Sequence, residues 1–196
     1  QGVRGLQLES IPATFLLLQA HRHPGRWDLG YAASKSFEIS GPGVDTAIRW
    51  STIAIIIILV FAVGWALYRL CAGGWTTRTT MAFFSVMVLL LIATNKVFSP
   101  QYIVWLGPLL AVVIRQRLPQ GFTTLRVVQR LLAVCAIIAA ALGTLVYPFN
   151  YDYIWHYVGE NMFPVYLLVA RNILIVVMAI IGLIWFALEV ALAGKL

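Results

Sequence analysis

The stretch NKVFSPQYIVWLGP, residues 95–108, decides how the rest of the chain is read. It sets Asn95, Lys96, Ser99, Gln101 and Tyr102 between two runs that are otherwise apolar enough to be membrane helices. Ser99-Pro100 has the chemistry of a helix start: serine offers an oxygen to unpaired backbone N–H groups, and proline is preorganised for the first helical position. A polar link closed by a helix start marks a place where the chain turns round at a membrane surface.

Composition supports that frame. The 196 residues are 61% hydrophobic and 11% charged, against about 45–50% and about 25% in soluble domains. A multi-pass membrane protein accounts for both departures. Five segments are candidate spans, at 48–70, 79–94, 100–114, 127–147 and 165–188, on the criterion of about 20 apolar residues for a core of about 30 Å. The second and third are short, so the pair can tilt, extend into the link between them, or form a re-entrant hairpin. The expected fold is all-α: a polytopic transmembrane bundle of about five helices over 48–196, preceded by an external unit over 1–47. In that unit a helix over 4–11 would put Arg4, Gln7 and Ser10 on one face, and Pro12 would kink it or start a new turn. The apolar run 13–20 is too short to span. The reading is therefore an interfacial or re-entrant helix, followed by an external loop marked by HPG at 23–25 and SGPG at 40–43.

The net charge of +7 is distributed as a topology signal and does not point to nucleic acid. Arg115, Arg117, Arg126 and Arg130 flank one short link, and Arg69 and Arg78 another, while 148–164 has no Lys or Arg. By the positive-inside rule the first two links and Lys195 face the cytoplasm, and residues 1–47, 95–99 and 148–164 lie outside. The external loop 148–164 is rich in aromatics, which suits an interfacial belt or, alternatively, a sugar or lipid contact. His156 reads as an exposed interfacial imidazole. Cys71 and Cys135 have no metal or disulfide spacing and read as small packing residues. The Ala136/Ala140 and Ala139/Gly143 pairs read as helix contacts.

The outward helix start at Ser99 is a candidate anion site, because its free N–H groups favour negative charge. Lys96 adds a full charge beside it, and Gln101 and Tyr102 add donors. Arg171, about two turns into the last span, is costly in lipid by at least about 2.5–3.5 kcal/mol at mid-helix. With Arg4 and Lys96 it makes three cations able to converge on one lipid phosphate. Ordinary capping with a snorkelling lysine is the alternative. Among the acids, Glu9 stands apart because it lies in an otherwise apolar stretch.

RGLQLES (4–10) and KVFSPQYIVWLGPLL (96–110), in this order, resemble the C-terminal half of the bacterial polyprenyl-phosphate-mannose-dependent mannosyltransferases and their integral-membrane relatives in the GT-C glycosyltransferase superfamily. The resemblance covers about residues 4–115. It implies a plasma-membrane enzyme, active on its extracytoplasmic face and with a cytoplasmic C-terminus. Such an enzyme transfers a sugar, with inversion, from a polyprenyl-phosphate donor to a glycolipid or polysaccharide acceptor. Lys96, Ser99, Gln101, Tyr102 and Arg4 would then bind the donor phosphate, with Arg4 either assisting Lys96 or pairing with Glu9; Arg171, outside the matched blocks, is a further phosphate candidate by its charge alone. Gln7, Glu9 and Ser10 would meet the sugar. The family's catalytic base is an Asp in its first external loop, and no segment here matches it. The chain opens at Gln1 without a signal-peptide pattern, so it is expected to be the C-terminal part of a longer protein, inactive alone. No cofactor is expected, a divalent metal is left open, and membrane lipids are the remaining partners. The alternative is a transporter or flippase for a lipid-linked substrate, or a non-catalytic membrane subunit.

Overall fold

The computed structural model describes residues 4–115 and 122–193. Arg117 and Lys195, both used above to assign sides, lie outside the described residues. In chain order the elements begin with strand β1 (Leu6–Gln7), a 3-10 turn (Ile11–Ala13), helix α1 (Thr14–Arg22), and strands β2 (Asp28–Tyr31) and β3 (Phe37–Ser40). Helices α2 (Val44–Ala72) and α3 (Thr77–Thr94) follow, then a 3-10 stretch (Pro100–Trp105) that runs into α4 (Leu106–Arg115). The chain ends with α5 (Thr123–Val146), the short α6 (Asp152–Trp155) and α7 (Phe163–Ala193).

Four of these helices, α2, α3, α5 and α7, are long and apolar enough to cross a membrane. They match the first, second, fourth and fifth expected spans. The third expected span is built as six residues of 3-10 helix followed by ten of α-helix, and is shorter than the other four. Helix α7 is the axis of the bundle, packing most extensively on α3 and α5. The main core forms along these helices and includes the fully buried Trp185. Gly182 is one reason α3 comes so close: a methyl group there would stand 3.1 Å from Leu89 and 3.3 Å from Val86. Thr76 starts α3 with a reciprocal capping box to Thr79, which satisfies two otherwise orphaned N–H donors.

Helix α2 is apolar nearly all round yet leaves Ile56, Val60 and Leu67 exposed, as suits a helix whose surroundings are lipid. Cys71, near its end, is exposed for the same reason and is not a packing residue, whereas Cys135 is buried. At the bundle end opposite β1, Arg78 pairs with the buried Glu189 at 2.7 Å. Trp185 Nε1 donates to the same carboxylate.

The N-terminal unit departs from the all-α expectation. No helix forms over 4–11; Leu6–Gln7 is a strand, and the sheet order is β1-β3-β2. Both pairings are antiparallel, with Leu6 opposite Ile39 and Leu29 opposite Ile39 across the central strand. The reason is the alternation Leu6-Gln7-Leu8, which buries two leucines and leaves Gln7 half-buried between them, as period two requires. A second core joins this unit to the bundle through Leu6, Leu8, Leu17 and Ile39 on one side, and Val146, Ile154, Val165 and Leu168 on the other. The 148–164 segment is therefore not simply an interfacial belt. Tyr151 is buried, and Tyr151 and Trp155 pack on Phe37 with ring centroids 5.2 and 4.8 Å away. His156 is exposed, as expected.

Candidate functional site

The two motif blocks meet although about ninety residues separate them. Gln7 joins them twice: its N–H donates to the Lys96 carbonyl at 3.0 Å, and its side-chain oxygen accepts from the Phe98 N–H at 2.9 Å. Lys96 Nζ donates to the Arg4 carbonyl at 2.6 Å, a third tie. Beneath them lies a buried polar knot. Arg171, fully buried on α7, donates from Nη1 to Glu9 Oε2 at 2.7 Å and from Nη2 to the Glu9 carbonyl at 2.8 Å. Asn172 accepts from Arg171 Nε at 3.2 Å and donates to Thr14 Oγ1 at 2.8 Å. The Phe98 ring lies 4.6 Å from the Arg171 guanidinium carbon, a cation–π contact. A guanidinium in this setting needs a full set of acceptors to offset its lost hydration, and Glu9 with Asn172 supplies them.

Above the knot a cleft of about 370 Å³ opens between the sheet and the 3-10 stretch. This is within the range of small-molecule sites, about 300–1,000 Å³. Arg4, Gln7 and Glu9 line it from the N-terminal segment, and Ser99, Pro100, Gln101 and Tyr102 from the 3-10 stretch. The β2–β3 hairpin adds Tyr31, Lys35, Ser36 and Phe37, and Tyr147 and Tyr151 close the side nearest α5 and α6. Polar amides and hydroxyls thus alternate with aromatic faces, a surface suited to a polyhydroxylated ligand. Burial pushes the Tyr151 phenol up from its usual range, with the Glu9 charge adding to the effect. Its hydroxyl therefore stays protonated and able to donate.

Six of the nine expected site residues line this cleft. The other three do not. Arg171 is consumed by Glu9, so Arg4, Lys96 and Arg171 do not converge on one anion, and Arg4 does not pair with Glu9. Lys96 is turned onto the Arg4 backbone and is not among the cleft-lining residues. Ser10 is fully buried below the cleft, and its hydroxyl has no hydrogen-bond partner. Ser99 has the extended backbone of an N-cap, but its hydroxyl donates to Gln101 Oε1 at 2.8 Å and caps nothing. The helix it begins is 3-10, whose tighter turn closes with the Tyr102 N–H on the Ser99 carbonyl. Among the described residues no group of three or more His, Cys, Asp or Glu gathers as a metal cluster.

One further tie holds the site's scaffold. His21 on α1 is buried between Nε2 on the Ile154 carbonyl at 3.0 Å and Nδ1, which accepts from the Gly159 N–H at 3.1 Å. That pair requires the neutral imidazole with its proton on Nε2. Burial lowers its pKa, and the Ile154 carbonyl opposes the shift only in part. With the folded value depressed, the stabilisation is complete above the ordinary imidazole value of about 6.5. It is lost as pH falls through the lower folded value. Thermal unfolding in detergent is expected to show a midpoint that drops on acidification below pH about 6.5, with the drop flattened in His21→Gln. An equal drop in that variant would place the titration elsewhere.

No family model, no curated protein and no solved structure matches the chain.

Proposed function

We propose that the chain carries the donor-binding cleft of an integral-membrane glycosyltransferase. It would use a polyprenyl-phosphate-linked sugar, mannose by the resemblance of the 4–10 and 96–110 motifs, and a glycolipid or polysaccharide acceptor. The observation that carries this reading is the cleft itself. Residues of both motif blocks line one cavity that mixes amides, hydroxyls and aromatic rings, at the end of an apolar bundle. That is where a headgroup joined to a membrane-embedded chain presents itself.

The transfer expected of such an enzyme forms a bond from the acceptor oxygen to the sugar's anomeric carbon. The bond from that carbon to the donor phosphate breaks, and the acceptor's proton passes to a base. The departing lipid phosphate gains charge as its bond breaks, so preorganised cations and donors beside it lower the barrier. Arg4, with Gln101 and Tyr102, fills that role. Gln7 and the aromatic walls take the sugar, and Glu9, held by Arg171, serves as the floor that keeps the Gln7 segment in place. The sheet end is the extracytoplasmic face of a bacterial plasma membrane in this reading. Arg69, Arg78, Arg115 and Arg126 lie in the end turns of helices at the opposite end, while 148–162 carries no Lys or Arg, and such asymmetry marks the cytoplasmic side.

The test uses membranes from cells producing the protein, supplied with radiolabelled polyprenyl-phosphate-mannose and a glycolipid acceptor extract. Donor retention is expected, and it should fall by about tenfold or more in Gln7→Ala and Gln101→Ala, the effect of one lost polar contact to a charged or polyhydroxylated ligand. Retention that neither variant weakens would place the donor outside this cleft. Absence of retention would sink the reading.

A further inference from the structure

Lys35 belongs to neither motif block, yet the structure brings it to the cleft. It sits at the tip of the β2–β3 hairpin, where the Ala32 N–H donates to the Ser36 carbonyl and the Lys35 N–H to the Ala32 carbonyl, both at 2.9 Å. These bonds close a three-residue loop whose last position is left-handed, and Lys35 fills it with φ 60°. Glycine is the usual occupant of that position, because a side chain there crowds the backbone. Among the described non-glycine residues Lys35 alone has positive φ. A long cationic side chain retained where glycine would be easier points to use of the side chain.

Charge bookkeeping in the cleft agrees. Its cations are Arg4 and Lys35, and neither forms an ion pair among the described residues. The one lining carboxylate, Glu9, is already neutralised by Arg171. Glu38 lies nearby on β3, but its oxygens accept from the Gly5 N–H and from the Ser34 and Ser36 hydroxyls. That tie also holds the hairpin tip beside the segment that bears Arg4. A methyl group on Gly5 would collide with the Glu38 carboxylate, so the approach is close.

We propose that Lys35 and Arg4 form a two-cation clamp for a phosphate ester at the cleft mouth, in place of the Arg4, Lys96 and Arg171 trio that the sequence suggests. This rests on the lipid-phosphate reading for the source of the ester, and the clamp itself requires only a phosphate. Two cations that form no ion pair of their own take a phosphate by charge-assisted hydrogen bonds. The amides and rings deeper in the cleft are then free for the sugar.

Isothermal titration of the full chain in detergent tests it, with farnesyl phosphate as probe and with farnesol and inorganic phosphate as controls. Farnesyl phosphate is expected to bind, more weakly at high salt, and farnesol to bind far less. Lys35→Gly and Arg4→Gln should each weaken binding about tenfold, the effect of losing one charged contact. The thermal midpoint of Lys35→Gly should be equal or higher, because glycine relieves the left-handed strain; misfolding thus cannot account for its weaker binding. If Lys35→Gly binds like the wild type while Arg4→Gln does not, the clamp is overturned and the lipid-phosphate reading stands. If inorganic phosphate binds as tightly as the farnesyl ester, with the same losses in both variants, the clamp stands and the lipid source falls. If the wild type binds no phosphate compound, both fall.

Discussion

Arg171→Met is expected to destabilise the protein by about 3–5 kcal/mol, because it strands Glu9 as a buried carboxylate without a counter-charge. The guanidinium satisfies the Glu9 carboxylate, the Glu9 carbonyl and the Asn172 amide oxygen at once, and methionine replaces none of these bonds. Unfolding in a graded denaturing-detergent titration would measure the loss. The double variant Arg171→Met/Glu9→Gln removes the stranded charge and should recover a large part of it, since a buried pair replaced on both sides is often close to neutral. A single variant within about 1 kcal/mol of wild type, the value of an exposed pair, would mean that water reaches the knot.

Phe98→Ala should cost a similar amount, about 3–5 kcal/mol for a fully buried phenyl ring. Phe98 is 0% exposed, and its ring meets Arg171 on one side and the edge of Tyr102, with centroids 5.9 Å apart, on another. Phe98→Leu keeps most of the volume and loses the cation–π contact, so it should fall between the alanine variant and wild type. Because Phe98 and Arg171 touch, the alanine and methionine variants together should destabilise by less than the sum of the two. Simple additivity in a double-mutant cycle would argue that the ring and the guanidinium act independently. Donor binding provides a second readout, since Tyr102 loses one of its supports.

The four long helices were legible because twenty-odd apolar residues in a row carry one message in any context. The meeting of residues 4–10 with 96–102 was legible only as three cations able to converge, and the partners inside it were not. Lys96 was expected on an anion because it stands beside a helix start, and Arg171 because a charge two turns into a span needs a partner. Sequence does not reveal that a carbonyl at Arg4 or a carboxylate at Glu9 lies closer. For the fully buried Arg171 an unpaired charge is so unfavourable that the nearest fixed acceptor wins over a diffusing ligand. The sheet was missed although its signal was present. Leu6-Gln7-Leu8 and Phe37-Glu38-Ile39-Ser40 both alternate with period two, and Ala33-Ser34-Lys35 between strands has the length of a hairpin loop. Strands of two to four residues are too short for the pattern to outweigh nearby Pro and Gly, which also read as irregular loop. Lys35 was invisible for that reason, because its importance exists only once the hairpin folds over the cleft.

The 3-10 stretch at Pro100–Trp105 also works as a spacer. A 3-10 turn rises about 2.0 Å per residue against about 1.5 Å in an α-helix, so Pro100–Arg115 reaches about 27 Å instead of about 24 Å. Three residues per turn bring Tyr102 and Trp105 into a stack, with centroids 4.5 Å apart and planes 29° from parallel. Ile103 and Leu106, one turn apart in the same way, both face inward. The same six residues thereby lengthen a short segment to nearly the depth of a bilayer and set Tyr102, backed by Trp105, in the wall of the cleft. Extra reach and a rigid wall come from a single change of helical pitch.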